Sequence, residues 1–296
     1  SFVSFRRLEK FYFFNEEVSP RKPFSVIDAN SSNAIVLKDS RFTWEQTASP
    51  KSPGSRPKVD STKDYVPFTL TINDLKIKKG QLCIVCGTVG SGKSSLLAAI
   101  LGEMCCQKNE AFVNGRISYV SQRPWIQNRS VREGILFMRD YNEEEYNEVI
   151  KAAQLETDLE ILPHGDSTEI GERGINLSGG QKQRCAIARA LYKFNEKDIF
   201  LLDDPLSAVD VHVANSLWKD AIQGLLGSKT RILVLNSHYH LLKEADLVCI
   251  MQEGSLVFQG SPEEAIDKYS SLLNTDEMDI SDTSTDAQDS QSDTIA

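Results

Sequence analysis

The stretch LCIVCGTVGSGKSSLLAAI, residues 82–100, sets an unbroken apolar run against a glycine-rich turn and then a run of helix formers. Five apolar residues without polar alternation read as a strand buried on both faces, as in a parallel sheet. GTVGSGKS, residues 87–94, fits G-x-x-x-x-G-K-[ST] and stands where that pattern has a mechanism, between a buried strand and a helix start. Gly87, Gly90 and Gly92 permit positive φ and close approach, so the N–H groups of 87–95, including those of Thr88, Val89, Ser91 and Ser95, can wrap the phosphates of a nucleotide. Lys93 reaches the β/γ-phosphates, the Ser94 hydroxyl ligates Mg²⁺, and the helix N-terminus adds partial positive charge.

A second stretch supplies the metal's other ligand. FLLDDPLSAVD, 200–210, ends an apolar strand DIFLL (198–202) on two adjacent acids. Paired with the phosphate loop, Asp203 takes the role of holding Mg²⁺, directly or through water. A third stretch, LSGGQKQRCAIARAL (177–191), opens a helix on an N-cap, Ser178, with Gly179 and Gly180 leaving its backbone bare. That makes a second anion-binding helix start, completed by Gln181. Two phosphate-binding helix starts with one metal-ligating strand imply a head-to-tail sandwich of two such domains, each offering its LSGGQ to the other's nucleotide.

The rest of the chain fits that frame. Of its 296 residues 40% are hydrophobic and 25% charged, as in a globular protein. No window approaches the roughly 20 apolar residues of a membrane span. The chain starts on Ser within a pattern, as a piece of something longer would. Seven acids and no base lie in 276–296; set against the net −9, they leave about −2 on the remainder. That lacks the basic face of a nucleic-acid binder. Residues 274–296 read as an acidic disordered linker. TASPKSPGSRPKVDSTKDYVP (47–67) has no apolar period, and 47–66 is expected to be a disordered insertion.

Further strands are expected at 34–44 (a pair), 68–72, 116–120, 231–235, 246–251 and 255–259. Helices are expected at 4–17, 211–226, 240–245 and 261–273, and about 130–192 is helix-rich. The alternation means an α/β fold with a mainly parallel sheet. Cys83 and Cys86 are spaced C-x-x-C but sit on a strand, where residues three apart face opposite ways; they read as reduced, buried thiols.

With these motifs in hand, residues 34–273 resemble the nucleotide-binding domain of ABC transporters. The resemblance implies a P-loop NTPase core, an antiparallel β subdomain, a helical signature subdomain, and ATP with Mg²⁺ as cofactors. It also assigns further residues. Trp44 matches the aromatic that stacks on adenine. Gln122, in YVSQRPWIQN, matches the glutamine near Mg²⁺ and the surface that couples to the transmembrane domains. TEIGERG (168–174) precedes the signature as in exporters, SAVD (207–210) matches the D-loop, and His238, in VLNSHYH, matches the switch histidine. An H-x-H metal pair with His240 lacks a third ligand.

LLDDPLSAVD, Trp44 and SYVSQRPWIQN are similar to subfamily C, the multidrug-resistance-protein branch, and to its first nucleotide-binding domain. In that branch the first domain carries Asp at the position of the catalytic Glu, here Asp204. Asp is one methylene shorter, a reach deficit of about 1.5 Å. A misplacement of ~1 Å can cost ~10²-fold in rate. The resemblance therefore implies an ATPase cassette that binds ATP well, turns it over weakly, and is monomeric when isolated. Its place is the cytoplasmic face of a membrane, with 1–33 linking to a preceding transmembrane domain. The insertion is longer than most of the branch carries and is similar to the regulatory insertion of the cystic fibrosis chloride channel. A nucleotide-sensing domain that gates a channel is the alternative; chromosome-type ATPases are set aside because 95–198 has no sustained heptads.

Overall fold

A computed structural model describes residues 31–44, 68–108, 111–171 and 177–273. The helix expected at 4–17, the insertion at 47–66, the acidic linker at 274–296 and part of 168–174 lie outside the described residues. In chain order the elements are β1 (Asn33–Thr43), β2 (Thr69–Lys78), β3 (Leu82–Gly87), α1 (Lys93–Ile100), β4 (Cys105–Lys108), β5 (Ala111–Val113) and β6 (Ile117–Val120). Four helices follow: α2 (Val131–Leu136), α3 (Glu143–Ala152), α4 (Glu156–Ile161) and α5 (Gly179–Leu191). The chain then forms β7 (Ile199–Asp203), α6 (Val211–Leu217), β8 (Thr230–Val234), β9 (Leu247–Gln252), β10 (Ser255–Gly260) and α7 (Pro262–Leu273).

The strands form one sheet in the order β4-β1-β2-β10-β9-β3-β8-β7-β6, with β5 also on β1. From β9 to β6 every pairing is parallel, whereas β1 pairs antiparallel with β2, β4 and β5, and β10 antiparallel with β9. The buried parallel strands are the continuous apolar runs read from the sequence, since a sheet covered on both faces has no polar side. Parallel strands deliver their carboxyl ends to one edge, where the chain turns into α1, the 204–210 loop and the 236–238 loop.

Two cores lie on the two faces of the sheet. Cys83 and Val85 pack with Leu96, Leu97 and Leu201 on one face, while Ile84 and Cys86 pack with Phe200, Leu202 and Tyr192 on the other. The C-x-x-C pair is thus split across the sheet, as the strand period requires. Both thiols are free and buried, and burial pushes that of Cys86 up to about 12, which keeps it inert as a nucleophile.

The helices of the 131–191 region are short and individually capped. Ser130 and Glu133 form a capping box on α2, the Asn142 side chain caps α3, and Ser178 with Gln181 boxes α5. Among the described residues no helix is long and apolar enough to cross a membrane.

Three of the expected elements take a different form. The expected pair at 34–44 is one strand, β1 (Asn33–Thr43), with Trp44 just past its end. The turn-prone Asp39 is absorbed as a single left-handed residue (φ 45°), and pairing with β2 resumes on both sides of it. The helix expected at 211–226 is α-helical only to Leu217; Trp218–Leu225 winds as a wider π-helix with Trp218 buried and its Nε1 donating to Glu244. Residues 239–244 form a 3₁₀ turn.

Candidate nucleotide site

Three glycines of the phosphate loop take positive φ, and at Gly87 close packing excludes any side chain. Gly87 has φ 149°, and a Cβ there would stand 2.2 Å from the Met251 carbonyl oxygen on neighbouring β9. Gly92 caps α1 at φ 103°. Gly90 has φ 80° but open space around it. Thr88, Val89 and Gly90 form an exposed rim over a buried floor of Ser91 and Lys93.

The Lys93 ammonium donates to Gly87 O at 2.7 Å and Thr88 O at 2.9 Å. Both are neutral, so among the described residues this buried cation makes no direct ion pair. Burial lowers its pKa, and the nearby Cys86, Asp204 and Asp203 work the other way. Ser91 Oγ is likewise buried and, among the described residues, has no hydrogen-bond partner. An unneutralised cation and an orphaned hydroxyl inside a glycine-built loop fit a polyanion such as the phosphates of ATP.

β7 runs beside β8, and β8 beside β3, so Asp203 arrives near the loop. The Ser94 hydroxyl donates to Asp203 Oδ1 at 3.2 Å. Burial raises the pKa of Asp203; the Ser94 bond and Lys93 oppose that, while Asp204 adds to it. A hydroxyl and a carboxylate, both oxygen donors, 3.2 Å apart, fit Mg²⁺, a hard cation that takes few protein ligands beside phosphate oxygens. Gln122, two residues past β6, leaves the same edge of the sheet and is exposed.

Asp204, one residue on, is placed differently. Its backbone is left-handed (φ 51°), its N–H donates to Val234 O at 3.1 Å, and its carbonyl accepts the Ser207 hydroxyl at 3.0 Å. Its carboxylate is turned toward the exit of β8, where Asn236 Nδ2 donates to Oδ2 at 2.6 Å and the Asn236 N–H to Oδ1 at 3.4 Å. The same loop carries His238, also left-handed at φ 60°, whose Nδ1 shares a 2.8 Å hydrogen bond with the Ser237 hydroxyl. Burial lowers the pKa of His238, as does His240, with Asp204 opposing.

The signature stands apart from this cluster. Ser178 Oγ accepts from Gln181 N at 3.2 Å, and Gln181 Oε1 accepts from Ser178 N at 2.9 Å. Beneath them Asp158 of α4 accepts from Gln181 Nε2 at 3.2 Å and from the Arg184 guanidinium at 2.6 Å. A Cβ on Gly180 would meet the Ala208 carbonyl at 3.1 Å, whereas Gly179 faces open space. Trp44, just past β1, is 51% exposed. Among the described residues no hydrogen bond joins Trp44, Gln122 or the signature to the Lys93–Ser94–Asp203 group. Asn236 and Asp158 escaped the sequence reading, because their partners lie 32 and at least 23 positions away.

A family model described as ABC transporter matches residues 70–207, from β2 through the phosphate loop to the loop after Asp204. Curated relatives extend the likeness over most of the chain. ATP-binding cassette sub-family C member 2 of Mus musculus is 49% identical over 237 residues, 79% of this chain and 14% of its own length. The chain belongs to the ABC transporter family. The Rattus norvegicus protein of the same description is 43% identical over 242 residues, 81% of this chain and 14% of its own. ABC-type transporter cicA of Emericella nidulans is 42% identical over 269 residues, 85% and 19% respectively. These ABC transporter relatives are C-subfamily proteins or an ABC-type transporter, and the chain spans less than a fifth of each.

Proposed function

We propose that this ABC transporter domain is the first nucleotide-binding cassette of a subfamily C exporter, with its own hydrolytic site weakened. The observation that carries the reading is the convergence of Lys93, Ser94 and Asp203 at one glycine-built loop whose buried ammonium meets only neutral carbonyls and whose buried Ser91 hydroxyl has no partner among the described residues. Lys93 swings from its two carbonyls to the β/γ-phosphates of ATP. Ser94 and Asp203, with Gln122 from the next strand, hold Mg²⁺, which supplies charge neutralisation on the phosphates when bound. Trp44 stacks on adenine. Ser178, Gly179, Gly180 and Gln181 face the nucleotide of a second cassette, and Gln122 lies toward the transmembrane domains on the cytoplasmic face. His238, kept neutral by burial, donates from the ring nitrogen that carries its proton.

Asp204 is the residue at the water-activating position. Its short side chain and its engagement with Asn236 leave it poorly placed to take a proton from water. The same engagement would suit a domain that senses nucleotide to gate a channel, and transport by the full-length protein separates that second reading from export.

The reading is tested on the adenine contact, which leaves the phosphate site untouched. Mg·ATP should quench tryptophan fluorescence, and Trp44→Ala should abolish the quench and weaken ATP and GTP alike by roughly 1–3 kcal/mol. A quench that persists in that variant, carried by Trp125 or Trp218, contradicts the assignment.

A further inference from the structure

The carboxylate of Asp204 is not free at the end of its strand. Its tight 2.6 Å bond comes from the Asn236 side-chain amide, and the Asn236 N–H reaches the other oxygen. The backbone of Asp204 is moored as well, to Val234 of β8 and, through Ser207, to the loop that follows. All of this draws residue 204 sideways along the sheet edge, toward the loop that bears Ser237 and His238. By contrast Asp203, one residue earlier, takes its bond from Ser94 on the phosphate loop. Adjacent acids thus serve opposite sides of the site.

We propose that Asn236 is a positioning residue that latches Asp204 to the β8 exit and so withholds its carboxylate from the attacking water. The inference rests on the reading of Asp204 as the residue at the water-activating position. Hydrolysis joins the water oxygen to the γ-phosphorus, breaks the bond from that phosphorus to the β–γ bridging oxygen, and passes a water proton to a base. A carboxylate with both oxygens turned to Asn236 must release the amide before it can be that base. Length is therefore half the defect: a Glu at 204, starting from the same left-handed backbone, still has the Asn236 amide beside it. The latch also ties residue 204 to the segment carrying His238, two positions on from Asn236, so movement of that segment moves the carboxylate.

The test is single-turnover hydrolysis of γ-labelled Mg·ATP by the whole chain, held in excess and concentrated so that two copies can share their signatures. Asp204→Glu, Asn236→Ala and the double variant are compared, with Mg·ATP affinity and melting temperature measured for each. Each single change should raise the rate by less than about 3-fold, and the pair by about tenfold beyond the product of the two. A role in stability alone would move the melting temperature without that coupling. Full gain from Asp204→Glu, with nothing added by Asn236→Ala, overturns the latch and leaves the reading of Asp204 standing. A double variant that binds Mg·ATP normally and cleaves no faster than the parent overturns both. Should Asn236→Ala fail to fold, Asn236→Leu keeps the shape without the donor. The contact is read independently from the Asn236 side-chain amide resonance: Asp204→Asn should shift it, and an unchanged resonance overturns the latch.

Discussion

Two sides of one sheet edge, a single residue apart in the chain, are built on different principles. On the phosphate side the parts are preset for an anion: glycines at positive φ, with Gly87 pressed against the Met251 carbonyl, a buried ammonium facing only carbonyls, and Asp203 held by Ser94. On the β8 side the parts satisfy one another: Asp204 with Asn236, and His238 with Ser237. On the phosphate side the Lys93 charge meets only neutral carbonyls and the Ser91 hydroxyl has no partner among the described residues, so an anion gains both. On the β8 side the charged carboxylate already holds two donors that it must give up first. Under the proposed function, the contrast is how one domain would hold ATP well and cleave it poorly.

The largest expected effect is at Gly87. Gly87→Ala sets a methyl against the Met251 carbonyl at a φ that favours glycine. It should destabilise the domain by about 3 kcal/mol or more in urea unfolding. Gly90→Ala, also at positive φ but in open space, should cost only about 1 kcal/mol. Equal costs would mean that close approach to β9 is not what Gly87 provides.

Next in size is Lys93→Met, which removes the charge but keeps the stem. Mg·ATP should bind about 100-fold more weakly by calorimetry, while the melting temperature stays within about 3 °C, since burial already disfavours the ammonium. A large loss of stability with affinity intact would reverse the roles assigned to the two sides.

These loop residues were legible because their chemistry is local. Strand, glycine spacing, Lys93 and Ser94 occupy one stretch, and Asp203 is announced by the apolar run it ends. The antiparallel strands β4 and β5 were missed, because CCQK and AFV are too short for any period to show. Residues 34–44 read as two strands because sequence cannot show that β2 pairs on both sides of Asp39. Asn236 was invisible for a related reason. Its meeting with Asp204 depends on the parallel register that sets Asp203 beside Val234, a property of the sheet and not of either segment.

The smallest effect lies on the β8 side. The folded pKa of His238 is below its ordinary value of about 6.5, so the unfolded chain binds more protons there as pH falls through that value. Its contribution to stability is therefore complete above about pH 6.5 and declines below it. His238→Gln should flatten the fall in melting temperature between pH 7.5 and 5.5, by at most about 2 °C. A steeper fall in the variant would mean that His238 is held in its charged form.

The most direct test is to measure binding and turnover of Mg·ATP on the same preparation of the unmodified chain. Saturable binding, lost in Lys93→Met, is expected together with steady-state turnover below about 0.1 s⁻¹, some two orders under a competent enzyme's ordinary rate. Turnover on the order of 1 s⁻¹ or faster, from a chain whose Asp204 still meets Asn236, would contradict that expectation.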